Sequence, residues 1–591
     1  MSLLIAAARA RHYAFMAFLL VGGWFAAHRF SGIIDTVIAE AGAEEQTILV
    51  LSGIVCVFTL GFVVCEVAKP TIFPSFVVAI FFGIATRDVF SFLTSNTLVV
   101  STLIHVGAVL ILFGGGLETP FRKFRDLVGP IFSLALFGTI FNAFLFSALL
   151  ISIAPLLGIA IPLPAAVLLG AALASTDPAA IIPSIQSLFF VRPTVKHIAI
   201  SESAINDVVG AVLVGIFLAI FQGGQVFYSI LQAYTMLFSL QNLELLLKTL
   251  AIGGVVGLGG FGILSAWDKW KTTRMSSDEG DSALFLSVPL LVFTTATLLG
   301  GSGFLASFLS SLLFQLRSHI RHVEHYFHHT VEDFMKPILF ILLGAMVDPQ
   351  ALWNVAPLGL LMGTLFILVL RPLIVFITLW PFCFGRNCLH FRELVFLCFV
   401  RETGVIPAAL LLTIFLQGVA GGGTIMAIGL WVILLTLIVE PPLTPALARW
   451  LGLAGKQGDV LPRKHSGPVV VLCSRGYSYK ERLQTVTEWS QQHSVEHVVL
   501  LHCPEDKYTQ EFMHEVRDEA MKQFRMINTR LVNEGKRELT FEFLGGPGLL
   551  QDHIESLVQS GDVSIVFVGT KMLDFRIDDI KRMQVPFYFM P

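Results

Sequence analysis

The stretch Gly170-Ala-Ala-Leu-Ala-Ser-Thr176-Asp177-Pro178-Ala-Ala-Ile-Ile-Pro183 decides the fold. It is apolar enough to lie in a bilayer, yet it carries a carboxylate and two prolines. Proline lacks an amide donor, and Pro178 disfavours helix at Asp177, so the segment predicts a helix broken at Thr176-Asp177. In hydrocarbon a broken helix must find partners for its freed amides and carbonyls, and it is tolerated only where it is buried in protein or lines a water-filled cavity. A capping role for Asp177 and a transport role are compatible.

The surroundings fit a membrane. Of 591 residues 55% are hydrophobic and 14% charged, where soluble domains carry roughly a quarter charged. About fourteen apolar runs precede residue 450, each near the ~20 residues that span the hydrocarbon core, although some are short or interrupted by Gly or Pro. Tyr13–Ala27 has the charge layout of a signal peptide, but no convincing cleavage site follows, so it reads as a further span. Val226–Leu240 is a weak segment that remains unassigned, with an interfacial helix as one reading.

Basic residues accumulate in alternate loops: Arg122, Lys123 and Arg125; Arg192 and Lys196; Lys269, Lys271 and Arg274; Arg317 and Arg321; Arg386 and Arg392. Arg29 and Arg87 are exceptions. This asymmetry predicts an even number of spans with both termini cytoplasmic. The net charge of -3 conceals a sparse membrane region and a dense C-terminal one, and nothing in it suggests a nucleic-acid partner. Seven cysteines without C-x-x-C spacing argue against a disulfide framework or a zinc site.

A second polar cluster follows in Ser201-Glu202-Ser203-Ala204-Ile205-Asn206-Asp207. On a helix Ser203 and Asp207 stack on one face, and Glu202 and Asn206 on the neighbouring one. An ionisable group at mid-membrane depth costs about 2.5–3.5 kcal/mol or more and tends to mark function. Asp207, Ser203, Thr176 and a freed carbonyl offer the oxygen ligands that a hard cation prefers. Asp207 also binds a proton, so cation and proton would compete for one carboxylate; a permanently paired carboxylate is the bland reading.

Thr176-Asp177-Pro178 followed by Glu202-Ser203-x-x-Asn206-Asp207 resembles the NhaP/NHE-type sodium/proton antiporters of the monovalent cation/proton antiporter superfamily. The resemblance covers roughly residues 47–448. It implies an all-α polytopic membrane protein with inverted repeats, a homodimer, and alternating access by an elevator-like movement. It assigns Asp207 as the ion- and proton-binding carboxylate, with Asp177, Thr176 and Ser203 around it. Asn206 stands where the electrogenic branch has a second aspartate, which implies electroneutral exchange. Na+ is the first choice of cation, with K+ and Li+ as alternatives, and no cofactor is called for.

The resemblance also pairs Glu202 with Arg401, in an interrupted span Phe399-Val-Arg401-Glu402-Thr403-Gly404 that sits where a second repeat would place its own broken helix. Arg371, deep in its span before Pro372, either snorkels or caps broken helix ends. Two positions depart from the family: Glu402 replaces a usual glycine and Gly114 replaces an acid. Glu118, one turn beyond Gly114, is either a substitute for that acid or a residue at a helix end. His325 and His329, four apart in Arg321-His322-Val-Glu324-His325-Tyr-Phe-His328-His329, form either a pH sensor or a solvated connector.

The expected organisation is an N-terminal extra helix and acidic loop (1–46), an antiporter domain (47–450), a linker (451–465) and a soluble α/β domain (466–591). Strand-like runs at Pro468–Cys473, Val498–Leu501 and Val563–Val568 alternate there with helical patterns at 479–493, 508–532 and 549–559, and a short strand closes the chain. The domain loosely resembles universal stress proteins, and a small regulatory ligand is a candidate partner. Gly545-Gly546-Pro547-Gly548 reads better as a turn than as a phosphate cradle. The expected location is a prokaryotic-type inner membrane, with lipids as partners. No nucleophile–base arrangement suggests an enzyme; a non-transporting membrane sensor is the alternative function, and an ion channel a weaker one.

Overall fold

The computed structural model describes residues 13–29, 43–68, 74–119, 127–176, 189–190, 194–274, 281–314, 333–384, 389–400, 403–455, 469–474, 479–493, 495, 497–502, 510–545, 554, 557, 563–569 and 587–590. The chain divides into two compact units, Met1–Ile182 with His197–Thr444, and Pro183–Lys196 with Pro445–Pro591.

The first unit is helical. Its helices are α1 (residues 13–29), α2 (Ala43–Ala68), α3 (Ser75–Ala85), α4 (Thr97–Glu118), α5 (Val128–Leu157), α6 (Leu163–Leu173), α7 (Thr194–Gln222), α8 (Ile230–Met236), α9 (Leu240–Arg274), α10 (Asp281–Leu298), α11 (Gly303–Phe314), α12 (Asp333–Met346), α13 (Ala356–Cys383), α14 (Phe391–Cys398), α15 (Val405–Leu416) and α16 (Gly422–Trp450), the first residues of α7 and the last of α16 belonging to the second unit. Among the described residues seven are long and apolar enough to cross a membrane: α2, α4, α5, α7, α9, α13 and α16. The weak segment at 226–240 forms the short α8, capped by Ser229 and anchored by buried Tyr234.

Close approaches between helices recur in a matched pattern. α3 packs on α12, and α4 on α11. A Cβ added to Gly344 of α12 would collide with the Ile80 carbonyl oxygen of α3, three residues before Gly83. A Cβ on Gly116 of α4 would lie 2.7 Å from the Phe308 carbonyl oxygen of α11, three residues before Ser311. Gly83 completes the first crossing from the other side, against Ile341. Backbones can touch this closely only where a side chain is missing, which is how membrane helices gain packing without a hydrophobic drive between them.

Two further features match. α5 carries a π-helical turn at Ser133–Gly138 and α13 one at Phe366–Leu370; such turns insert one residue and re-aim the side chains beyond them. After each comes a helix that stops short. α6 begins with Pro at its first positions, where no amide partner is needed, and stops at Ala174. α14 stops at Cys398, and α15 resumes after Gly404.

In the second unit Phe189–Phe190 (β1) pairs antiparallel with Ala454–Gly455 (β2). Five more strands, β3 (Val469–Ser474), β4 (His497–His502), β5 (Thr540–Gly545), β6 (Val563–Gly569) and β7 (Phe587–Met590), form a parallel sheet ordered β5-β4-β3-β6-β7. Helices α17 (Tyr479–His493) and α18 (Gln510–Asn533) lie between strands in sequence. Val470, Leu472, Val498, Leu500, Ile565 and Phe567 pack one core with Leu483, Val486, Val516 and Phe524 of the helices. The intervening Val471, Cys473, Val499, Leu501, Val566 and Val568 are buried too, as in a parallel sheet covered on both faces. Strand β5, Thr-Phe-Glu-Phe-Leu-Gly, is not among the expected strands, although its Phe541 and Phe543 alternate with polar neighbours. The expected helix at 549–559 lies outside the described residues apart from Ile554 and Leu557.

His502, at the end of β4, is fully buried, and burial lowers its pKa from 6.5 to about 4. The unfolded chain takes up a proton near pH 6.5 that the folded one refuses until about pH 4, so stability is present above pH 6.5 and is lost as pH falls through that window. Hydrogen exchange of the β4 amides should accelerate between pH 6.5 and 4 beyond its intrinsic trend, and His502→Leu should remove the excess. Gly344→Val should destabilise the first unit enough to abolish recovery of folded protein in detergent, read by thermal unfolding; Gly344→Ala should do so less.

Candidate cation and proton site

The end of α6 meets the middle of α7. Ser175 and Thr176 follow the last turn of α6, and Glu202, Ser203, Asn206 and Asp207 project from α7 at helical spacing. All six are buried, and of them Asp207 is the most accessible, at 6% against 0–1% for the others.

The backbone freed at the break is met from α7. The Thr176 amide donates to Asn206 Oδ1 at 3.2 Å, and Asn206 Nδ2 donates back to Thr176 Oγ1 at 3.1 Å. The Ser203 hydroxyl donates to the Thr176 carbonyl. Ser175 Oγ donates to Asp207 Oδ1. Gly210 lets the two segments approach, since a Cβ there would lie 2.8 Å from Ser175 Cβ.

The second carboxylate is held differently. Asn206 Nδ2 reaches Glu202 Oε1 at 3.4 Å, and Arg371 Nη2 lies 3.4 Å from Glu202 Oε2, with side chains 6% and 0% exposed. Arg371 therefore does not snorkel: it comes directly after the π turn of α13 and points at Glu202 inside the protein. A buried charge without a partner is costly, and this pair neutralises two at once. A parallel clamp exists at the other break, where the Thr403 amide donates to Thr436 Oγ1 at 3.2 Å and the two hydroxyls also bond. Thr436 of α16 thus does for Thr403 what Asn206 does for Thr176.

Thr176, Ser203, Asn206, Asp207, Glu202 and Arg371 come together as a cluster. Asp177, Arg401, Glu402, His325 and His329 lie outside the described residues, as does the Glu118 side chain. Sequence reasoning missed Ser175, Gly210 and Thr436. Ser175 adjoins the threonine already singled out, and Gly210 lies one turn beyond Asp207; Thr436 has no motif around it.

The cluster and the helices define a class, a polytopic membrane protein with oxygen-bearing side chains and a carboxylate at a helix end, as in ion-coupled transporters. The sodium/hydrogen exchanger transmembrane family matches residues 53–450, and the chain belongs to that family. Among curated relatives, the K(+)/H(+) antiporter NhaP2 of Shewanella oneidensis is 29% identical over 344 residues, covering 56% of this chain and 54% of that protein. The K(+)/H(+) antiporter NhaP of Alkalimonas amylolytica is 28% identical over 368 residues, covering 61% and 59%. The Na(+)/H(+) antiporter NhaP of Pseudomonas aeruginosa is 25% identical over 241 residues, covering 40% and 53%. The chain thus spans about half the length of the curated relatives it matches. The structure of the sodium proton antiporter MjNhaP1 from Methanocaldococcus jannaschii is similar in fold, with a TM-score of 0.55 at 21% identity over 69% of this chain and 99% of that one.

Replacing Asn206 by leucine removes the acceptor for the Thr176 amide. An unpaired buried donor costs about 1–3 kcal/mol, so Asn206→Leu should lower the thermal unfolding temperature of the protein in detergent.

Proposed function

We propose that this protein exchanges a monovalent cation for protons across a membrane, the two competing for Asp207. The observation that carries this is a buried carboxylate facing a helix break whose freed backbone is already satisfied. Glu202 faces Arg371 and Asn206 is neutral, which supports Asp207 as the carboxylate that proton and cation share. Trading one H+ for one cation at a single carboxylate moves no net charge, which supports electroneutral exchange. Relatives named for K(+)/H(+) and for Na(+)/H(+) exchange support the cation class: K+ or Na+.

The matched glycine crossings, π turns and threonine clamps support two inverted repeats, α1–α7 and α9–α16, of about seven spans each. In this reading the moving bundle includes α6, α7 and the helices α13 to α16 that carry the Arg371 and Thr436 clamps, with Asp177 and Ser203 beside the ion path and Arg401 and Glu402 at the second break. The loop charges support cytoplasmic termini in a prokaryotic-type inner membrane, and the chain would act as a homodimer. The second unit would be a regulatory α/β domain, its ligand site at the carboxyl ends of β3 and β6, where the strand order reverses.

In proteoliposomes an outward K+ or Na+ gradient should acidify the lumen, and Asp207→Ala should reduce this to the level of protein-free vesicles. Wild-type activity in Asp207→Ala would reject the assignment. An imposed membrane potential should leave the rate unchanged; a potential-dependent rate would reject one-for-one exchange.

A further inference from the structure

Two buried polar atoms near the cluster have complementary needs. Asn142 of α5 is 4% exposed and Arg371 of α13 is 5% exposed. Asn142 Oδ1, an acceptor, and Arg371 Nε, a donor, each lack a hydrogen-bond partner among the described residues. Leaving such groups unpaired is expensive, and native proteins rarely do so without reason.

The packing of their helices brings them to the same level. Ser133 Oγ of α5 donates to the Thr378 carbonyl of α13 at 2.8 Å. One and a half turns further along α5, a Cβ on Gly138 would lie 3.3 Å from Ile374 Cγ2 and 3.7 Å from Thr378 Cγ2. Moving up α5 therefore means moving down α13, and the next turn sets Asn142 level with Leu370 and Arg371. The faces agree as well. Asn142 lies four residues beyond Gly138, and Arg371, Ile374 and Thr378 fall on one stripe of α13. The π turn Phe366–Leu370 directly precedes Arg371, and Ser133–Gly138 ends four residues before Asn142; each sets the direction in which the next side chains project.

We infer that Asn142 is a positioning residue for Arg371: its amide oxygen takes the Nε–H, directly or through one water, and holds the guanidinium on Glu202. The inference rests on the exchange reading for its purpose, but the contact itself does not. A guanidinium held at one end only would be free to leave Glu202, and the charge balance around Asp207 would change with it. Asn142 reaches the ion site through Arg371 and has no ligand role of its own.

Thermal unfolding of the full chain in detergent, read as a double-mutant cycle, tests the contact without requiring transport. Asn142→Leu should lower the unfolding temperature by about 3 °C or more in the wild-type background. It should lower it by less than about 1 °C in Arg371→Lys, which keeps a cation for Glu202 but has no Nε–H, because substitutions at uncoupled sites add. Asn142→Asp, of the same shape and with acceptor oxygens only, should restore the wild-type value. If Asn142→Leu does not fold, Asn142→Ala is read in the same two backgrounds. Equal falls in both backgrounds, or no rescue by aspartate, would overturn the inference. Proteoliposome exchange is measured in parallel: coupling without exchange in the wild type rejects the function and keeps the contact, whereas exchange with additive effects rejects the contact alone.

Discussion

A helix that stops inside a bilayer leaves amides and carbonyls with no water to bond, and the rest of this structure depends on which groups replace that water. At Thr176 the amide is met by Asn206 and the carbonyl by Ser203, both from one face of α7. The same side chains that cap the break also flank Asp207, so the cap and the carboxylate share one set of neighbours. Asp207 is left as the most accessible member of the cluster.

Close helix packing makes the cap possible. Gly210 brings α7 within reach of Ser175, and Gly83, Gly116 and Gly344 let carbonyls of neighbouring helices approach where a methyl group would collide. The contacts come in matched sets, α3 on α12 and α4 on α11, and after each break a long helix supplies the clamp. The two clamps differ chemically. Asn206 accepts and donates through separate atoms, Oδ1 and Nδ2, while Thr436 does both through one hydroxyl, and the carboxylate lies beside the asparagine. Similar scaffolding on both sides thus surrounds a buried carboxylate on one.

Charge is handled in the same way. Glu202 is fully buried and meets Arg371, so it contributes to the arrangement of the cluster without adding net charge. The π turn before Arg371 explains how a residue in the middle of an apolar span aims inward: one extra residue in the turn rotates the side chains beyond it.

The sequence alone determined the helical, membrane class of fold, the end of α6 before Thr176 and the polar face of α7. Apolar runs of bilayer length, a Thr-Asp-Pro break and two polar stripes on one helix are local patterns, and local patterns are written in consecutive residues. The strands β3, β4, β6 and β7 were legible for the same reason, whereas β5 alternates apolar and polar residues and lacks the continuous apolar run by which β3, β4 and β6 stand out. Tertiary structure decided the partners. Arg371 and Glu202 are 169 residues apart, Thr403 and Thr436 are 33 apart, and Ser175 is joined to Asp207 only because Gly210 allows the approach. Such pairings depend on which helix faces cross, a property of packing between distant segments that no spacing along the chain encodes.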